Sequence, residues 1–418
     1  VVTGVQTCAL PICTECLTIK NFGPIKKAKL RIRKYNIFIG DTACGKSIAA
    51  KLISIFNSEE FLLLKTGDYE NFIALLSKYN IDFPFHQDTL ISYKYWNISY
   101  RSFITDNNRY ELVKAIQNND QEVITKILGK NFIQPDTHKK DLFKKILDLL
   151  EHMKDDKQIQ SFAFQYIKDI LFDEFDINNP IYIPAERILI SMFSNNIFSL
   201  LEANINIPEC IKRFGSQYEK AKNSKIQNQE IDFMNIKVSF EKSDDVIVHE
   251  VNKETVKLTQ ASSGIQSIIP LWVVIENNFN SIRNNILIVE EPELNLYPTM
   301  QVKLMESILS KIENSLGTLV VTTHSPYILS VFDNLILANE ILKKSRYDKA
   351  VKEKIKQITK TDLTIHFNDV SSYLFKNDGN VVNIRDNDLK TVGAEQIDQA
   401  SNYLSDIFED LCNIDTYE

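Results

Sequence analysis

YNIFIGDTACGKSIAAKLISIF, residues 35–56, decides how this chain is read. A short apolar run ending in Gly40 enters, without a break, a loop of the form G-x-x-x-x-G-K-S. Behind the loop, the apolar residues of SIAAKLISIF recur at helical spacing. Strand, glycine-bounded loop and helix in that order make a phosphate cradle. Gly40 and Gly45 let the backbone curl so that its N–H groups face phosphate oxygens, and the helix opening near Lys46 adds its positive end. Lys46 is expected to reach the β- and γ-phosphates of ATP and the Ser47 hydroxyl to ligate Mg²⁺. Asp41, Thr42, Ala43, Cys44 and Ile48 complete the expected ATP contact. Glycine is scarce, 11 in 418 residues, so a chance match to this loop is remote.

Three later segments place chemistry around that cradle. In ILIVEEPELNLYP, residues 286–298, four apolar residues form a buried strand that delivers Glu290 and Glu291 to its carboxyl end. Ligands of open α/β sheets bind at that end. Successive side chains on a strand point oppositely, so the two carboxylates take different tasks. Glu290 is expected to hold Mg²⁺, and Glu291 to orient and partly deprotonate the attacking water. In TLVVTTHSPYIL, residues 318–329, a buried strand presents His324 where it can meet a γ-phosphate or that water. SSGIQSIIPLWVVIE, residues 262–276, opens a helix with small residues, Ser262, Ser263 and Gly264 ahead of Gln266, whose exposed N–H groups suit an anion.

Composition narrows the setting. A net charge of -7 argues against a surface built throughout for nucleic acid. No apolar run approaches the ~20 residues of a membrane span, so no membrane partner is expected. Cys44, Cys210 and Cys412 are widely scattered, which fits a reducing cytoplasm. VTGVQTCALPI, residues 2–12, resembles a translated sequencing-library adapter, so residues 1–13 are set aside from fold reasoning, together with the Cys13 and Cys16 spacing.

Residues 14–57 then read as the first part of an ATPase core and 58–178 as a mostly helical insertion. The insertion has amphipathic stretches at 110–128, 139–153 and 159–172 and a strand pair near 90–103, without the sustained heptads of a coiled-coil arm. The core resumes over 179–340, with PIYIPAERI at 180–188, a polar helical stretch at 212–229 and a hairpin pattern spanning 234–251. An α+β extension is expected over 341–418: a basic helix between 343 and 360, a hairpin-like SSYLFKNDGNVVNI at 371–384, and an acidic terminal helix. The basic helix could contact DNA phosphates, but a solvated face suits it better.

The order and wording GxxxxGKS…SSGIQ…EEPELxLxP…TTHSP resembles the ABC-type ATPase domain of RecF, the condensin and cohesin ATPases and the overcoming-lysogenization-defect nucleases. Within that group it is most similar to the ATPases of phage-defence operons such as Septu and PARIS. The resemblance covers about residues 17–57 and 180–340. It implies an α/β fold, an ABC-type P-loop ATPase head with a mixed β-sheet and a mostly helical insertion. It also implies that two protomers sandwich ATP. The P-loop of one would face the signature Ser262, Ser263, Gly264 and Gln266 of the other, with Asn295 in the D-loop beside the interface. Implied too are ATP hydrolysis with Mg²⁺, a homodimer or higher oligomer, and a separate effector protein encoded nearby. A RecF-like protein would instead bind DNA directly. Glu290 stands where many ABC proteins carry Asp, and Ala43-Cys44 replaces a more usual small polar or glycine pair, with little effect expected. Gln87 and the Glu186-Arg187 turn stand as alternatives for the lid contact of a Q-loop. The tail offers neither the strand-borne glutamate of a Toprim nuclease nor an HNH-like histidine cluster, so no nuclease is expected in this chain and any effector activity is expected from a partner.

Overall fold

Strands and helices form where the apolar residues dictate. The structure, a computed structural model, describes residues 16–64, 67–93, 96–99, 102–104, 180–193, 207–223, 228–240, 247–249, 255–279, 286–313, 315, 317–393, 407 and 409. The adapter-like start, the helices expected at 110–128, 139–153 and 159–172, and the terminal helix apart from 407 and 409 lie outside the described residues.

Cys16–Phe22 (β1) and Ile25–Arg31 (β2) pair antiparallel around a turn at Gly23, φ 55°. Tyr35–Gly40 (β3) is buried at five of its six positions, as a strand covered on both faces must be. It passes through the loop into Lys46–Phe56 (α1), where nine of eleven residues are buried. Glu59–Leu62 (α2) and Tyr69–Lys78 (α3) follow, and the rings of Phe56, Phe61 and Phe72 lock them to α1. Leu90–Tyr93 (β4), Trp96–Ser99 (β5) and Ser102–Ile104 (β6) extend the first sheet in the order β2-β1-β4-β5-β6.

Beyond the segment not described come Ile181–Ile183 (β7), Ile188–Phe193 (α4) and Glu209–Asn223 (α5). Asn228–Ile231 (β8), Ile236–Ser239 (β9), Ile247–His249 (β10) and Thr255–Lys257 (β11) form a four-stranded antiparallel sheet. Ser263–Phe279 (α6), Ile286–Glu290 (β12), Pro298–Glu313 (α7), Thr318–Thr323 (β13) and Pro326–Lys344 (α8) carry the remaining motifs. Lys349–Thr359 (α9), Val370–Phe375 (β14) and Val381–Asn383 (β15) follow.

The central sheet runs β15-β14-β3-β13-β12-β7, with all neighbours parallel except β15 against β14. Its strands obey a period of two. Tyr35, Ile37 and Ile39 enter one core with Leu287, Val289, Leu319 and Val321, while Phe38, Ile288 and Val320 enter the core on the opposite face. Helices α5 to α8 cover the first face, and α1 to α3 with the first sheet cover the second. Because β3, β12 and β13 are parallel, the loops after Gly40, Glu290 and Thr323 all leave from one edge. Among the described residues no helix is long and apolar enough to cross a membrane.

The fold is the mixed α/β arrangement expected, with four differences in organisation. Residues 58–103 are not set apart from the first core segment, because β4 pairs with β1 over 17–20 and 90–93. The strand pair expected near 90–103 is a three-stranded run. The hairpin-like segment after 370 is no appendage past residue 340, since β14 pairs with β3 along its whole length and sits inside the central sheet. The basic stretch 343–360 is not one helix, because α8 ends at Lys344 and a turn with Arg346 and Tyr347 at positive φ intervenes before α9.

Candidate nucleotide site

The loop after β3 closes on itself. Lys46 Nζ donates to the carbonyls of Gly40 (2.9 Å) and Asp41 (2.7 Å), and burial lowers its pKa. Three of the loop's residues have positive φ: Gly40 (148°), Ala43 (64°) and Gly45 (96°). Ala43 therefore holds a left-handed conformation that costs an L-residue about 1–2 kcal/mol and glycine almost nothing. The Ala43-Cys44 pair is thus less neutral than the sequence suggested. Ile48, in the first turn of α1, is turned into the core.

Glu290, at the end of β12, is 3% exposed, and burial raises its pKa, partly offset by the Ser47 hydroxyl and Lys51. Its Oε1 has no hydrogen-bond partner. A buried carboxylate of that kind is destabilising when ionised. Glu290→Gln should therefore raise the stability of the nucleotide-free protein at pH 8 by about 1–2 kcal/mol. The gain should shrink as pH falls through the raised pKa, where the wild-type carboxyl takes up a proton and loses its penalty. Calorimetry at pH 8 and pH 5 checks both halves; a variant less stable at pH 8 would refute it.

Glu291 leaves the strand with φ 43°, its N–H held by Thr322 O at 2.9 Å. Its Oε1 lies 3.3 Å from His324 Nε2, and the histidine holds the carboxyl below its usual range. Glu291 and Lys46 also face each other electrostatically. Glu293, which the sequence did not single out, anchors this corner. Its Oε1 accepts from His324 N at 2.6 Å and Thr323 Oγ1 at 2.8 Å, which fixes where His324 stands. After His324, Ser325 caps α8 by accepting from Tyr327 N, with Pro326 in the first turn.

Among the described residues Arg187 is the largest fully buried side chain. Its guanidinium donates to Glu290 O and Glu291 O (both 2.9 Å), Pro292 O (3.4 Å), Pro184 O (3.3 Å) and Ser267 O (3.2 Å). Burial lowers its pKa to about 10, against the pull of Glu293, Glu291 and Glu290. It therefore offers no lid contact; it pins the turn after β12 to the start of α6. That start needs help, because Pro270 has no N–H for Gln266 O four residues back. The Ser191 hydroxyl supplies the missing donor at 2.7 Å.

Ser262 and Ser263 are exposed at the opening of α6. Gly264 adjoins Asn295, φ 62°, whose carbonyl a Cβ at Gly264 would approach to 3.0 Å. Gln266 is turned back, its Nε2 donating to Thr259 O and Ala261 O (both 3.0 Å), so its amide closes its own loop instead of facing outward. The sequence-predicted residues thus form two groups. Lys46 of the P-loop, Glu291 and His324 face one another, with Glu290 beside Ser47; Ser262, Ser263 and Gly264 lie by Asn295, and Arg187 joins the two groups through Ser267 O and the Glu290 and Glu291 carbonyls. Gln87, the other lid candidate, is exposed before β4. Among the described residues no group of three or more His, Cys, Asp or Glu could hold a metal ion without further ligands.

The P-loop, the two strand-end glutamates and the strand-end histidine thus leave one edge of the parallel strands β3, β12 and β13. The chain belongs to the AAA ATPase domain family, whose model matches residues 15–329. No curated protein matches it. Among solved structures it is similar to the Smc head domain of Pyrococcus furiosus bound to the C-terminal domain of ScpA (13% identity, TM-score 0.31, 76% of this chain and 91% of that one). It is also similar to the SMC head domain of Thermotoga maritima (8% identity, TM-score 0.32, 77% and 92%). A third is an SMC head bound to the C-winged helix domain of ScpA (11% identity, TM-score 0.30, 76% and 91%).

Proposed function

We propose that this chain is an ABC-type ATPase that binds ATP on residues 40–48 of one protomer and completes the site with Ser262, Ser263 and Gly264 of a second copy. The exposed opening of α6 carries the reading. The residues able to hold and cleave a triphosphate gather at the P-loop, while Ser262 and Ser263 face solvent at a helix start, able to receive phosphate oxygens from outside the protomer. Tyr297, 76% exposed two residues after Asn295, leaves a large ring for a partner surface to cover.

Nucleotide binding would draw Lys46 from the Gly40 and Asp41 carbonyls to the phosphates. Ser47 and Glu290 fit a hard divalent ion, because they offer oxygen donors only and Glu290 Oε1 is buried without a partner. Mg²⁺ bound there would spread the charge of the phosphate oxygens. Glu291 orients the attacking water and takes its proton, held ionised by His324. Opening and closing of the dimer with the nucleotide would let the chain act as sensor or scaffold of an antiphage system controlling a separate effector, a role supported by the wording of the four motifs.

Light scattering with a non-hydrolysable ATP analogue tests the sandwich. The wild type should double in mass, and Ser263→Arg, which leaves residues 40–48 untouched, should bind the analogue yet stay single. A wild type that remains a monomer at saturating analogue would sink the proposal.

A further inference from the structure

The turn of the β14–β15 hairpin, residues 376–380, belongs to none of the motifs above, yet it lies against the P-loop. Asn377 Nδ2 donates to Asp41 Oδ2 at 2.8 Å, and the Cys44 thiol donates to Asn377 Oδ1 at 2.9 Å. One side chain thus ties the second and fifth residues of the loop together. The hairpin is itself anchored. Lys26 and Lys27 donate their N–H groups to Gly379 O at 2.8 and 3.3 Å. Gly379, φ +84°, leaves no room for a Cβ, which would stand 2.7 Å from Pro24 O.

The loop is walled in from both sides. A Cβ at Gly45 would meet Ile25 Cγ1 at 2.5 Å, and one at Gly40 would meet Phe375 O at 2.2 Å. Between these walls the loop keeps Ala43 in a left-handed conformation, and such a conformation persists only where its surroundings hold it. Among these neighbours, Asn377 is the one that hydrogen-bonds to the loop's side chains.

We propose that Asn377 is a positioning residue of the nucleotide site, presetting the P-loop through Asp41 and Cys44 so that its N–H groups converge before a phosphate arrives. The inference rests on the reading of residues 40–48 as the ATP site. Asn377 touches no reacting atom, so its loss acts on affinity: the loop must be ordered by the ligand instead of in advance. KM should rise while kcat holds.

The experiment titrates the full chain with a fluorescent ATP analogue and Mg²⁺, and measures kcat and KM, for the wild type, Lys46→Ala, Asn377→Ala, Asn377→Asp and the exchange Asp41→Asn with Asn377→Asp. Asn377 is exposed, so these variants should fold, which their thermal unfolding checks. Asn377→Ala should bind roughly three- to tenfold more weakly, the scale of two modest hydrogen bonds, with kcat within about twofold of wild type. Asn377→Asp should be weaker still, because it sets a second carboxylate against Asp41. The exchange variant should recover most of the loss, since Asn at 41 donates to Asp at 377. Wild-type affinity in Asn377→Ala, a fall in kcat at constant KM, or an exchange variant no better than Asn377→Asp would each overturn the proposal. A wild type that binds no analogue, or a Lys46→Ala that binds as well, would instead overturn the nucleotide reading beneath it.

Discussion

Glu291→Gln is expected to slow ATP hydrolysis by about two to four orders of magnitude, the span set by losing a positioned general base, while nucleotide binding survives. The amide keeps the shape of the carboxylate and its reach toward His324, but it cannot take a proton. Its backbone, pinned by Thr322 O and the Arg187 guanidinium, has no reason to move. A single-turnover assay with a parallel binding titration separates the two effects; hydrolysis within tenfold of wild type would remove Glu291 from the chemistry. The pH profile gives a second check. His324 holds the Glu291 carboxyl below its usual range, so the base stays ionised into acid and the acid limb of kcat should lie low. His324→Ala removes the largest cause of that shift, so the carboxyl rises toward its ordinary value and the limb moves to higher pH. An acid limb that does not move would belong to another group.

Arg187→Ala should be the most destabilising single change at this site, by about 3–5 kcal/mol. Five carbonyl oxygens in three segments share this one cation, and alanine leaves them buried without it. Each stranded carbonyl costs about 1–3 kcal/mol unless water or a shift of the chain relieves it, and the cavity left by the side chain admits some relief. Arg187→Lys keeps the charge but not the planar fork, so it should fall between wild type and alanine. Urea unfolding followed by circular dichroism reads the order. A loss under about 1 kcal/mol for alanine would mean that the carbonyls find other donors.

The parts of the site legible from sequence are those whose chemistry lies within a dozen consecutive residues. The P-loop is a strand, a turn and a helix in unbroken succession, so its glycines and Lys46 announce themselves. Glu290 and Glu291 follow a run of four apolar residues that can only be a buried strand in this context, and Ser325-Pro326 marks the helix after His324. Glu293 shared that local signal, two residues after Glu291, but its task depends on β13 and could not be read from spacing. The helices expected between 110 and 172 rest on periodicity alone and fall outside the described residues.

Contacts between distant segments escaped the sequence for a physical reason. Arg187 follows a short strand in a segment that reads as an exposed polar turn, and its burial depends on β12 and α6 converging more than 75 residues later. Asn377 sits in a turn typical of any hairpin, and only the insertion of β14 beside β3 brings it to Asp41, 336 residues away in the chain. Gln266, which the resemblance set toward a second protomer, instead closes its own loop with its amide. Local periodicity and glycine placement determined that this chain builds a phosphate cradle with two glutamates and a histidine to serve it. The order of strands in the sheet, a matter of long-range pairing that no local pattern encodes, decided what braces that cradle and which groups are left facing outward.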